Sequence, residues 1–109
     1  MIKLKDLIDT DDVAGVLMVY MCQNILLCKR NMGTKYWSVP KGHIIEGEEP
    51  VDGALRELEE ETRIKLWNKL ECVHEGKNKK KGKFHLFRCD INEPLVPILN
   101  HEHSTWKYF

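Results

Sequence analysis

Glu57, Glu60 and Glu61 belong to the stretch 40–64, PKGHIIEGEEPVDGALRELEEETRI, in which seven of twenty-five residues are glutamate. On a helix, where successive residues turn by about 100°, the three carboxylates share one face. Like charges at such neighbour positions destabilise a helix by a few tenths of a kcal/mol per pair. Either this face is a solvated acidic surface, or a positive charge offsets the repulsion. An oxygen-rich pocket suits hard cations such as Mg²⁺ or Mn²⁺, and Mg²⁺ usually arrives with a substrate phosphate. Glu59 projects away toward solvent. Gly53 falls on the carboxylate face, and a glycine inside a helix costs roughly 1 kcal/mol against alanine. Its missing side chain would admit another segment of backbone, and the Lys41-Gly42 loop is the neighbour expected there.

The elements around this face follow from hydrophobic pattern. VAGVLMVY at 13–20 reads as a buried strand and NILLCK at 24–29 as a second, with a tight turn at Gln23-Asn24. NMGTK at 31–35 is turn-like, and YWSVP at 36–40 is a short extended piece stopped by Pro40 and Gly42. Residues 43–49 read as a loop or short strand. A helix starts near Pro50, with Val51, Ala54, Leu55, Leu58 and Thr62 on its apolar face. LECVHE at 70–75 and KFHLFRCDI at 83–91 read as strands joined by the basic loop GKNKKKG, followed by the proline-punctuated connector NEPLVP. Several strands around one clear helix argue for an α+β domain built on a sheet.

The spacing within 42–64 narrows the chemistry. Gly42 is followed after five residues by Glu48, after seven more by Arg56-Glu57-Leu58, after one more by Glu60-Glu61, and then by Arg63-Ile64 beyond Thr62. This resembles the Nudix box of hydrolases acting on nucleoside diphosphate linkages. Every defined position matches except one, where Arg63 replaces the second glycine. The run WSVPKGHIIEGE is similar to a segment of the diadenosine polyphosphate hydrolases of that family. The resemblance implies a Nudix fold, a mixed sheet in an α/β/α sandwich. It further implies hydrolysis of a phosphoanhydride in a nucleoside or dinucleoside polyphosphate, dependent on Mg²⁺ with Mn²⁺ as the alternative ion.

By the same resemblance, Glu57, Glu60 and Glu61 are metal-binding carboxylates, with the Gly42 carbonyl a further candidate ligand. Arg56 and Glu48 orient them. Glu61 and Glu102 are both candidates for the general base. Lys41 and Arg30 are candidate phosphate contacts, each equally readable as a solvated charge. Tyr36, Trp37 and Trp106 could stack on a base or belong to the core. His101-Glu102-His103 raises the possibility of zinc, although two histidines without a clear third ligand make a weak site. His43, His74 and His85 read as packing or hydrogen-bonding residues. The resemblance leaves open an RNA 5′-pyrophosphohydrolase, a pyrophosphatase of damaged nucleoside triphosphates, and a catalytically silent module that binds nucleotides or a partner. Lys77, Lys79, Lys80, Lys81 and Lys83 could touch an RNA backbone or simply decorate an exposed hairpin.

Arg63 predicts either strain at positive φ or a rebuilt helix end, with the metal site retained. Relatives of this kind usually run longer and place a second helix after the last strands, whereas this chain stops at EHSTWKYF. That helix is therefore expected to be short or absent, in a minimal domain or an incomplete one. Trp106, Tyr108 and Phe109 are costly to leave in water. The tail is expected to fold back over the sheet or to meet a partner chain, with a symmetric homodimer the favoured form.

Composition sets outer bounds. A chain of 109 residues predicts one domain, 1–109. Seventeen basic and seventeen acidic residues cancel, so generic nucleic-acid affinity has no support from net charge. Without roughly 18 consecutive apolar residues no membrane helix is expected, and MIKLKDLIDTDD lacks the apolar core of a secretory signal. Cys22, Cys28, Cys72 and Cys89 form no CxxC pair and read as buried free thiols in a reducing cytoplasm.

Overall fold

The run from Val13 to Tyr20 is apolar without alternation because its strand has neighbours on both edges and cover on its faces. It lies in strand β1 (Asp9–Tyr20). In the computed structural model, which describes residues 9–30, 36–66, 69–77 and 82–109, β1 is the central strand of a mixed sheet. One edge pairs in parallel with β6 (Lys83–Ile91), from Val13 opposite Phe84 to Tyr20 opposite Ile91. The other edge is shared by two antiparallel partners. The strand β4 (Lys41–Ile45) meets its first half, with Val13 opposite His43 and Gly15 opposite Lys41. The strand β2 (Asn24–Arg30) meets its end, with Val19 opposite Ile25. The short β3 (Trp37–Ser38) pairs with β2, and β5 (Glu71–Lys77) pairs with β6. Residues 78–81, including Lys79, Lys80 and Lys81 of the basic loop, lie outside the described residues, as does the turn at 31–35.

Helix α1 (Pro50–Thr62) packs its apolar stripe on this sheet. Ala54, Leu58 and Thr62 are fully buried, and a core forms around Ala54 and Leu58 with Val16, Met18, Ile44, Phe87 and Cys89. Pro50 fits the first turn, where its missing N–H costs no bond. Among the described residues α1 is the one helix, and none is long and apolar enough to cross a membrane.

Several expectations change in place or kind. The β1–β2 turn is centred on Met21 and Cys22, not on Gln23-Asn24; both have positive φ, 54° and 60°, and the Gln23 N–H bonds the Tyr20 carbonyl at 3.3 Å. Positive φ at both central positions gives the turn the twist of a right-handed strand pair. Strand β1 extends back to Asp9, and in the segment expected as a loop or short strand, residues 43–45 end β4 and a turn follows. All four cysteines are free, but Cys22 and Cys72 are exposed; only Cys28 and Cys89 are buried. A turn and an edge strand carry the exposed pair.

The aromatic tail forms strand β7 (His103–Tyr108), antiparallel to β2 with Leu26 opposite Tyr108 and Cys28 opposite Trp106. Its residues favour extended backbone, and alternate rings turn inward. Trp106 and Tyr108 pack against the core, and the Tyr108 hydroxyl donates to the Leu95 carbonyl at 2.7 Å. Phe109 meets Trp37 edge to face at 4.9 Å. The tail therefore returns to the sheet by extending it, and does not lie across its face.

Arg63 adopts the left-handed backbone that glycine takes up most freely. Its φ and ψ are 63° and 9°, and its N–H bonds the Glu59 carbonyl at 2.8 Å, closing the helix with a left-handed residue. The expected rebuilding of the helix end does not occur, because this bond satisfies a carbonyl that would otherwise be orphaned. A non-glycine residue in this conformation is strained by roughly 1–2 kcal/mol. Arg63→Gly should therefore raise stability by about 1 kcal/mol, read as a higher urea midpoint at unchanged slope. An unchanged or lower midpoint would show that the arginine bears no such strain.

Candidate active site

Gly42 and Glu57 meet where β4 passes the middle of α1. A Cβ added to Gly42 would fall inside the Glu57 carboxylate, so a side chain is impossible there without displacing it. Gly53 serves a different neighbour from the one expected. Its open side faces Glu48 Oε1, 2.9 Å from an ideal Cβ, and Ile44, while the Lys41-Gly42 backbone approaches Glu57 one turn further along.

Arg56 organises the carboxylates. Its Nε and Nη2 donate to the two oxygens of Glu48 at 2.9 and 3.1 Å, a two-pronged contact of the kind that fixes both partners. Its Nη2 also donates to the His43 carbonyl at 2.9 Å, tying the helix to β4. Its Nη1 reaches Glu57 at 3.1 Å and Glu60 at 3.3 Å. Glu48 in turn accepts from the Ile45 N–H at 3.1 Å. The Arg56 hydrogen bond holds the Glu48 carboxyl below its ordinary range, and the same contact raises the Arg56 guanidinium.

Glu61 lies on the other side of this network, with its side chain only 2% exposed. Among the described residues its Oε2 has no hydrogen-bond partner. Burial pushes its carboxyl up to about 9, reinforced by the neighbouring Glu57 and Glu102 carboxyls and partly offset by the Lys41 backbone amide. Burial also raises Glu57. Two carboxylates one turn apart are thus held where the ionised pair is disfavoured unless a positive charge joins them.

The connector after β6 completes the site. Ile98 and Asn100 donate their N–H groups to the Thr62 and Glu61 carbonyls at 2.9 and 3.3 Å, using acceptors that the helix end leaves open. The Asn100 side chain then accepts the Glu102 N–H at 3.0 Å, a turn that asparagine favours. This delivers Glu102 and His103 to the helix end. A cavity of about 280 Å³ results, lined by Lys41, Gly42, Glu57, Glu61, Glu102 and His103 among others.

The structure thus brings together Gly42, Lys41, Glu57, Glu61 and Glu102, with Arg56 and Glu48 behind them. Glu60 lines the adjacent cavity with Arg63 and His101, and Glu102 borders both. Lys41 also carries its ammonium 5.7 Å above the Phe84 ring. Arg30 pairs its backbone with His103, and its side chain lies outside the described residues. Tyr36 is exposed, while Trp37 and Trp106 pack against Phe109 and Tyr108. His43 faces the Thr10 carbonyl at 2.9 Å, and His85 faces Glu75 at 3.2 Å. His103, not singled out from its motif, is buried with Nε2 3.4 Å from Glu61 Oε1. Simple alternation along β7 would not have found it, because residue 103 has the opposite parity to Trp106 and Tyr108; the register shift against Lys29-Arg30 brings it inward.

The donor set fits a divalent cation: among the described residues a buried, unpartnered Glu61 oxygen lies near the Glu57 carboxylate, against which Gly42 leaves room for no side chain. Glu61 carries a folded pKa above its unfolded value, so its neutral form is favoured by folding. Without metal, its contribution to stability should be full below about pH 4.5 and decline as pH rises toward about 9. Glu61→Gln should remove most of that decline in a thermal melt series, and Mg²⁺ or Mn²⁺ should restore the wild-type protein at the alkaline end. Parallel pH profiles for the two metal-free proteins would contradict this account of Glu61.

Comparison with known proteins places this arrangement. The chain is 34% identical over 91 residues to the asymmetrical bis(5′-nucleosyl)-tetraphosphatase of Caenorhabditis elegans, covering 76% of this chain and 64% of the relative. It is 54% identical over 42 residues to an RNA pyrophosphohydrolase of Azorhizobium caulinodans, covering 38% of this chain and 25% of that protein. The fold superposes on a C. elegans Ap4A hydrolase solved as a binary complex with a TM-score of 0.77 at 25% identity, covering 88% of this chain and 77% of that one. The NUDIX domain model matches residues 9–109, and the chain belongs to this family.

Proposed function

We propose that this chain is a Mg²⁺-dependent pyrophosphohydrolase, also served by Mn²⁺, that cleaves a phosphoanhydride bond in a nucleoside or dinucleoside polyphosphate. The observation that carries this reading is the buried, unpartnered Glu61 carboxylate beside Glu57. Such a pair is costly in a folded protein unless a cation uses it. Family membership and the likeness to the C. elegans tetraphosphatase support the phosphoanhydride chemistry and the dinucleotide class.

Glu57, Glu60, Glu61 and the Gly42 carbonyl would hold the cation. When bound, it supplies positive charge that offsets the charge of the phosphate oxygens in the transition state. Arg56 fixes Glu57 and Glu60 through one guanidinium, and Glu48 fixes Arg56, so the ligands are oriented before substrate arrives. Lys41, at the cavity edge, contacts a substrate phosphate, and Arg30 is assigned the same task from the end of β2. Glu102 and Glu61 both border the cavity where a water would sit, and either can accept its proton. The short local match to an RNA pyrophosphohydrolase favours a second reading, removal of pyrophosphate from a 5′-triphosphate RNA end. The free cysteines fit a reducing compartment such as the cytoplasm. A symmetric homodimer on the aromatic tail stays a proposal: Trp106 and Tyr108 pack within the chain, while Phe109 keeps 46% of its surface exposed.

A substrate panel decides among these readings. Bis(5′-nucleosyl) tetraphosphate, nucleoside triphosphates and 5′-triphosphate RNA should be offered with Mg²⁺ and with Mn²⁺, and the dinucleotide should turn over fastest. Inertness toward all three with either ion would leave only a binding module. On the substrate that responds, Glu60→Gln and Glu61→Gln should each lower turnover by about 100-fold or more, since charge stabilisation by a cation is worth several kcal/mol and each 1.36 kcal/mol is tenfold. Near wild-type turnover in both variants would remove the cation site from the mechanism. Comparing Glu102→Gln with Glu61→Gln by pH–rate profile identifies the base, because only loss of the base removes the acidic limb.

A further inference from the structure

The segment His101-Glu102-His103 divides its side chains. His101 and Glu102 are exposed, whereas His103 turns inward and is buried. The turn at Asn100 and the first residue of β7 place it against the helix end, with Nε2 3.4 Å from Glu61 Oε1. One ligand atom from each of Glu61, Glu102 and His103 lies within 4.8 Å of the others. A first-row cation binds nitrogen and carboxylate oxygen at about 2.0–2.2 Å, which sets adjacent ligand atoms roughly 3 Å apart. The Glu61–His103 pair needs little adjustment to reach that spacing. The second Glu61 oxygen is buried with no hydrogen-bond donor on it among the described residues, an independent observation that fits completion of the site by a cation.

We propose that His103 is a nitrogen ligand to a divalent cation held jointly with Glu61 and Glu102, and that this imidazole shifts the site's preference from Mg²⁺ toward borderline transition-metal ions. The inference rests on the reading of Glu61 as a cation ligand and adds a ligand outside the Gly42–Ile64 segment. Its chemical basis is the donor type. All-oxygen sets suit Mg²⁺, Ca²⁺ and Mn²⁺, whereas imidazole suits Zn²⁺, Ni²⁺ and Fe²⁺ and strengthens binding along the series from Mn²⁺ to Cu²⁺. Glu61 belongs to both proposed ligand sets, so a cation held by Glu102 and His103 would share that carboxylate with the set that includes Glu57 and Glu60. The competing role for His103 is purely positional, a ring N–H donated to Glu61 with no metal bond.

Pulsed electron paramagnetic resonance of the intact chain loaded with Mn²⁺ separates the two roles, because it detects a nitrogen bonded to the ion. The wild-type protein should show ¹⁴N coupling, replaced by the ¹⁵N pattern when histidine alone is isotopically labelled. The coupling should persist in His43→Gln and His101→Gln, whose rings border the same or the adjacent cavity, and vanish in His103→Gln. By equilibrium dialysis, His103→Gln should weaken Co²⁺ binding by about tenfold or more, in the range seen when metal-site partners are lost, with a much smaller change for Mg²⁺. Should His103→Gln fail to fold, the labelled wild type and the two control variants still decide the assignment. Bound Mn²⁺ without histidine coupling, or coupling that disappears in His43→Gln, overturns the His103 ligand and leaves the proposed hydrolase standing. Failure of the wild type to bind Mn²⁺ or Mg²⁺ overturns both.

Discussion

A carboxylate removed from water without a partner is among the least favourable groups a small domain can bury. Glu61 comes close to this state, with His103 Nε2 3.4 Å from one oxygen and a carboxyl that burial pushes up to about 9, and the arrangement around it is legible as what that burial requires. The helix is anchored from behind by Leu58 and Ala54, both fully buried, so the opposite face cannot swing Glu57 and Glu61 into solvent. Gly42 gives way to the Glu57 carboxylate, and Gly53 gives way to Glu48. The single guanidinium of Arg56 takes up the remaining charge on the helix, touching Glu48, Glu57 and Glu60 but not reaching Glu61. Glu48 is neutralised in place, Glu57 and Glu60 are steadied, and Glu61 is left beyond the guanidinium's reach, where burial favours its neutral form. That asymmetry separates Glu61 from a solvated acidic face and supports the cation site proposed above.

The sheet explains how a chain of this length positions both halves of the site. The strand β1 is shared by β6 on one edge and by β4 and β2 in succession on the other. The Gly42 loop is therefore locked in register to the central strand, with Ala14 opposite Gly42. The second half arrives from the far end of the chain. The connector after β6 hydrogen-bonds the carbonyls of Glu61 and Thr62 before β7 joins β2, so the acidic helix end and the Glu102–His103 turn cannot separate without breaking backbone bonds. Arg63 fits the same picture. Its left-handed backbone ends the helix abruptly enough for the chain to leave without covering the carboxylates, at the cost of strain that glycine would avoid.

Much of this was written in local sequence. The strands β1, β2 and β6, the helix and its apolar face depend on period and propensity, which short segments carry by themselves. The spacing from Gly42 to Ile64 specified which carboxylates share a face and which arginine stands beside them, because helical geometry converts separation in sequence directly into direction. What sequence alone left undetermined was decided by contacts between segments far apart in the chain. Whether 103–108 becomes a strand depends on the free edge of β2, and the inward turn of His103 follows from that pairing. Which backbone approaches Gly53, and how deeply Glu61 is buried relative to Glu60, depend on how β4 and the connector dock against the helix. Glu60 and Glu61 are adjacent and chemically identical; only the packing of residues 98–103 against one side of the helix end separates a half-exposed carboxylate bound to Arg56 from a buried one with an oxygen left unpartnered.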